Sequence, residues 1–125
     1  MLTVDLSSQT LPYLHPQDKV YQALQLMNDN QVTHLPIVEG EKYIGLISED
    51  DLLLAENDNA PLSDLQQSFA PISVKSDEHF LKAVQLAAEN GLSVVPITDT
   101  ENDIAGAVAY SDLLKHASDF MSKSL

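Results

Sequence analysis

The chain has 125 residues, enough for one domain-sized core but not for two large independent ones. It contains no Cys, which excludes disulfides, a thiolate nucleophile and Cys-based zinc sites, and makes a reducing compartment the default. Nineteen acids face six Lys and no Arg, for a net charge of −13, and a surface this negative, lacking the guanidinium fork that grips phosphates, argues against a nucleic-acid partner.

Taken in order, the elements read as one unit written twice. A short extended piece at 12–14 precedes Val20, Ala23, Leu24 and Met27, whose i, i+3, i+4, i+7 spacing predicts an amphipathic helix. Runs at 34–38 and 43–47, separated by the turn-like "EGEK", predict two strands, and a second helix is expected over about 49–55. The stretch "ENDNAP" is polar and rich in breakers, a linker followed by a short helix over 62–67. The same order then returns: an extended piece at 72–74, a helical stripe at Phe80, Ala83, Val84 and Ala87, strands at 93–98 and 104–109 around "DTEND", and a last helix over about 110–120.

The repetition reaches residue identity. At an offset of sixty, Ala23, Gln25, Leu26, Asn30, Pro36 and Ile37 recur as Ala83, Gln85, Leu86, Asn90, Pro96 and Ile97. One inserted residue later, "GLISEDDLL" from Gly45 returns as "GAVAYSDLL" from Gly106, keeping the glycine, the aspartate and two leucines but losing the serine. The expected organisation is a first repeat at 1–57 and a second at 58–125, with the linker at about 56–61. Neither unit of roughly sixty residues would bury much surface alone, so the two are expected to pack around a pseudo-twofold axis. The fold class is α/β in the α+β sense, two β-α-β-β-α repeats forming one module.

This arrangement resembles a tandem pair of CBS domains, also called a Bateman module. The resemblance covers nearly the whole chain and rests on the repeat period, the order of elements, the "HLPIV" and "VVPIT" strands, and the two "G…DLL" segments at the junction of last strand and last helix. It implies adenosyl ligands such as AMP, ATP or S-adenosylmethionine in the cleft between the paired units, and two chains joined in a flat homodimer. It also implies a ribose-binding role for Asp51 and Asp112, and places Thr33 and His34 where relatives aim polar side chains at phosphates.

The residues themselves allow two readings of the motif. Ser48 followed by Asp51 is a helix start, a hydroxyl accepting an orphan N–H and an acid near the positive end of the dipole. The same geometry gives an anion a place to sit, and a carboxylate can accept hydrogen bonds from both ribose hydroxyls. In the second copy Ala109 replaces Ser48, and Ser111 is expected to cap that helix instead. A lone His at a strand start is more often structural than a ligand contact, which bears on His34. Glu49 and Asp50 stand against a multiply charged phosphate, so ATP is disfavoured relative to AMP, adenosine or S-adenosylmethionine. Pro12, Leu14, Pro36 and Ile37 are candidates to face the adenine in the first copy, as Ile72, Val74, Pro96 and Ile97 are in the second, although core packing is the commoner use of such residues.

No enzyme is expected, because no nucleophile with a positioned base, metal cluster or tuned carboxylate pair is visible. "DTENDIAG" starts like a calcium loop but has Ile104 and Tyr110 where an EF-hand needs Gly and Glu. Weak Mg²⁺ or Ca²⁺ association with Glu39, Glu41, Glu49, Asp50 and Asp51 competes with an ordinary solvated acidic face. No segment approaches the roughly 18 apolar residues of a membrane span, and "MLTVDLSSQT" has no basic stretch before an apolar run, so a cytoplasmic protein without membrane contact is expected. The functional expectation is a stand-alone regulatory module that binds an adenosyl ligand, requires no cofactor and signals to a protein effector. The alternative is a ligand-free dimerisation scaffold, with Phe120 and Met121 available for a dimer face.

Overall fold

A computed structural model of the chain describes residues 2, 3, 5 and 10–124, with 120–124 as backbone only, so the side chains of Phe120 and Met121 lie outside the described part. In the first half, helix α1 (Val20–Asp29) leads to the antiparallel strands β1 (His34–Glu39) and β2 (Lys42–Ser48), then to the short helix α2 (Glu49–Leu53). A 3-10 helix over Leu62–Ser68 follows. The second half runs β3 (Val74–Lys75), α3 (Phe80–Asn90), β4 (Val94–Thr98), β5 (Ile104–Ala109) and α4 (Tyr110–Ser124). β3 lies parallel to β4, and β4 antiparallel to β5. The helical stripes point inward as their spacing requires: Val20, Ala23 and Met27 are buried in α1, and Phe80, Ala83 and Ala87 in α3.

Among the departures from the sequence expectation, three have a local cause. The piece at 12–14 forms no full strand, since Pro12 has no N–H to donate, and contributes one parallel bridge from Leu14 to Ile37. Its counterpart begins at Val74 instead of Ile72, because the Ile72 N–H folds back onto the Ala70 carbonyl at 2.9 Å and the Ile72 carbonyl accepts the Tyr43 hydroxyl at 2.6 Å. Helix α2 ends at Leu53, where the chain tightens: Leu54 N–H donates to the Asp51 carbonyl and Ala55 N–H to that of Leu52.

The two halves exchange their leading segments. Pro36 pairs with Leu46 and Pro96 with Ala107, and neither proline can donate a ladder bond. The backbone groups of Leu46 and Ala107 turn outward instead. Leu46 exchanges both backbone bonds with Ala70, at 2.8 and 2.9 Å, although Ala70 leads into the second half. Ala107 donates to Thr10 Oγ1 at 2.8 Å and accepts from Leu11 N–H at 2.7 Å, although Thr10 and Leu11 lead into the first. The cores follow the exchange: Val94 and Ala107 belong to the cluster built on Leu14, Met27 and Ile37, and Leu46 to the cluster built on Phe80 and Ile97.

A pseudo-twofold axis passes where residues meet their own repeat equivalents. Lys42 bridges to Asp103, Tyr43 N–H donates to the Asn102 carbonyl at 3.0 Å, and Ile104 N–H donates to the Glu41 carbonyl at 2.8 Å. The Lys42 ammonium lies 2.8 Å from Asp103 Oδ1 on this axis. Gly45 is fixed by the exchange: a Cβ there would stand 2.7 Å from Phe69 Cβ.

Two substitutions probe the exchange. Gly45→Ala should lower stability by about 1–3 kcal/mol through overpacking against Phe69, and a denaturant midpoint equal to that of the wild type would mean that the 69–70 segment moves aside freely. Tyr43→Phe leaves the Ile72 carbonyl without its hydroxyl donor and should cost about 1 kcal/mol or more in the same titration; a neutral result would show that water replaces the hydroxyl.

Candidate functional site

The antiparallel register sets His34 opposite Ser48, so the start of β1 and the end of β2 deliver Thr33, His34 and Ser48 to one place. Ser48 has extended backbone (φ −102°, ψ 157°) and its Oγ accepts the Asp51 N–H at 3.1 Å, making it the N-cap of α2. The cap uses an oxygen lone pair and leaves the hydroxyl proton for another acceptor. Glu49 N–H donates to the Thr33 carbonyl at 2.8 Å, and Tyr110 N–H repeats this bond to Ser93 at 2.8 Å in the other half.

At this end of the axis the halves meet through Thr33, His34 and Ser93. Ser93 Oγ accepts the Thr33 N–H at 3.0 Å and lies 2.8 Å from His34 Nδ1, to which it donates. The Ser93 N–H also points at Nδ1, at 3.2 Å. A backbone N–H can only donate, so Nδ1 is an acceptor and the proton of the neutral ring sits on Nε2. Burial pushes the His34 pKa below its ordinary value, against the opposing pull of Asp50 and Asp51.

Thr33, His34, Ser48, Glu49 and Asp50 from the first half, with Asn90 and Gly91 from the second, enclose a cleft of about 390 Å³. Gly91 caps α3 in the left-handed region (φ 63°), which turns the helix end into this space. Asp51 is half-buried beside the lining, near enough to raise the His34 pKa. Leu14 and Ile37, 1% and 0% exposed, are core residues here, as is the buried Pro36; Pro12 is half-buried in the lead-in. Leu14 also borders a separate hollow on the outer side of α1, with Tyr21 and Leu26.

The second copy assembles less. Ala109 stands where Ser48 stands, and Lys115 Nζ lies 3.8 Å from Asp112 Oδ1. Ser111 is not the expected cap, because α4 begins at Tyr110 and places Ser111 inside its first turn, exposed. Sequence reasoning missed the contribution of Ser93, Asn90 and Gly91. The signal was present for Ser93, which is the repeat equivalent of Thr33, since residues on a twofold axis must meet their own equivalents. Among the described residues no group of three or more His, Asp or Glu is arranged to hold a metal ion.

The lowered pKa of His34 gives stability a pH dependence of definite sign. Above the usual imidazole value of 6.5 its contribution is complete; below it the unfolded chain takes up a proton that the folded chain refuses, so stability falls. Melting temperatures measured across about pH 7 to 5 should decline, and His34→Gln should flatten that decline. An unchanged slope in the variant would assign the effect to other groups.

Comparison with known proteins agrees with the two-repeat fold. The family model described as CBS domain matches residues 4–58 and again 62–119. The inosine-5′-monophosphate dehydrogenase of Methanocaldococcus jannaschii is 29% identical over 101 residues, which are 80% of this chain and 20% of that one. The chain thus spans about a fifth of the length of the curated relatives it matches. A CBS domain pair/ACT domain protein of Thermotoga maritima superposes with a TM-score of 0.82 at 19% identity, covering 95% of this chain and 98% of that one. CBSX2 in complex with AMP superposes with a TM-score of 0.77 at 21% identity, covering 96% and 98%. Two matched repeats, exchanged lead-ins and a cleft on the shared axis lead to one conclusion: the chain belongs to the CBS domain family, as a CBS pair.

Proposed function

We propose that this CBS pair is a regulatory module that binds an adenosyl ligand of the AMP, adenosine or S-adenosylmethionine type between its repeats and passes its state to a protein effector, without catalysing a reaction. The observation that carries this reading is that the 390 Å³ cleft is lined from both halves. A ligand there touches two bodies at once, and one that fits a particular orientation better shifts the population toward it. The AMP complex of CBSX2 supports the ligand class.

In this reading Asp51 holds the ribose, Ser48 and Thr33 offer hydroxyls, and the protein acts in the cytoplasm as a homodimer. The reading includes no nucleic-acid or membrane partner: a net charge of −13 without Arg disfavours phosphate backbones, and no helix among the described residues is long and apolar enough to cross a membrane. A ligand-free scaffold is the second reading. It is favoured by the burial of Leu14, Pro36 and Ile37, which leaves them no exposed face for an adenine in this conformation.

Thermal-shift measurements with adenosine, AMP, ATP and S-adenosylmethionine separate the two. A ligand at a hundred times its Kd stabilises the native state by about 2.7 kcal/mol. Asp51→Ala should abolish that rise while leaving the unliganded melting temperature nearly unchanged. Binding that survives the substitution removes the ribose role from Asp51, and no rise with any compound favours the scaffold.

A further inference from the structure

Resting on the reading of this cleft as the adenosyl site, we infer that the group the ligand carries beyond its ribose is a cation, such as an ammonium or a sulfonium, and not a phosphate. Three independent features of the cleft set this sign. The first wall is the start of α2, where the acidic residues Glu49 and Asp50 line the cleft with Asp51 beside them. The opposite wall is the end of α3, where 11 residues of aligned peptide dipoles leave partial negative charge at Asn90 and Gly91 and no basic residue occupies the last turn to offset it.

The third feature is His34, the one lining residue able to become positive. The N–H and hydroxyl of Ser93 both address Nδ1, so a proton there would displace two bonds, and the ring stays neutral. Among the described residues no Lys lines the cleft. An anion entering it would meet the positive end of α2, a helix of only five residues whose first turn is Glu49, Asp50 and Asp51, and opposite it the carbonyl-rich end of the longer α3, with no full positive charge on the lining, whereas a cation is attracted by the carboxylates and by the α3 end. Ser48 does not reverse this, because its lone pair is engaged by Asp51 N–H and it adds only one neutral donor. The sign belongs to the first cleft alone, since Tyr110 and Ser111 stand in the second half where Glu49 and Asp50 stand in the first.

Calorimetric titration of the full chain at about pH 7.5, where imidazole is neutral, with three nucleosides that differ only at the 5′ position tests the inference: adenosine, 5′-amino-5′-deoxyadenosine and AMP. The amine should bind about tenfold or more tightly than AMP at low salt, with adenosine between them and the gap narrowing as salt is added. The double variant Glu49→Gln, Asp50→Asn should close most of the gap while adenosine affinity is kept. AMP binding as tightly as the amine overturns the inference and leaves the adenosyl reading standing. A gap that the double variant does not alter overturns the assignment to these carboxylates, and failure of all three compounds to bind overturns the adenosyl reading and the inference together.

Discussion

The exchange of leading segments is the constraint from which the rest of the molecule follows. Pro36 and Pro96 sit in strand interiors, and the backbone groups of Leu46 and Ala107 opposite them need partners from outside their own hairpins. Left open, those groups would form bare sheet edges. Ala70 closes one edge and the Thr10–Leu11 segment the other, each arriving from the other half. Once the segments cross, Gly45 has no room for a side chain, Tyr43 meets the Ile72 carbonyl, and residues of each half are drawn into the other core. The axis contacts and the cleft are then consequences of where the halves come to rest.

The cleft inherits both its symmetry and its asymmetry from the repeat. Symmetry brings Thr33 to Ser93 and makes the Glu49 and Tyr110 backbone bonds alike. Divergence puts His34 against Ser93 where the reciprocal place holds Val94, and Ser48, Glu49 and Asp50 where the other half holds Ala109, Tyr110 and Ser111. Polar and charged chemistry is thereby concentrated on one side of the axis, while the backbone supporting both sides is nearly the same.

Much of this architecture was legible in the sequence, and the reason is local. Helical stripes such as Val20, Ala23 and Met27, strand runs such as 104–109, and the serine before α2 each carry their signal within a few residues. What was not legible depends on partners distant in sequence. Leu14 looked like part of a strand and forms a single bridge; Pro12, Leu14, Pro36 and Ile37 were candidates for a ligand wall although core packing is the commoner use of such residues, and only packing tells these apart. The tautomer of His34 depends on an N–H fifty-nine residues away, and no local pattern encodes it. Ser111 was misplaced as a cap by two residues, because Ala109 already closes β5 at the position a cap would take.

Reciprocal lead-ins also bear on why the two units share one chain. A single unit of this kind would carry one lead-in and one unfilled edge, and could satisfy both only by trading segments with an identical copy across a true twofold axis. Its folding would depend on concentration. Joining two such units through a stretch such as 56–61 makes that encounter intramolecular and lets the two copies differ. Ser48 against Ala109, and Glu49 and Asp50 against Tyr110 and Ser111, are differences that a symmetric pair of identical chains could not hold.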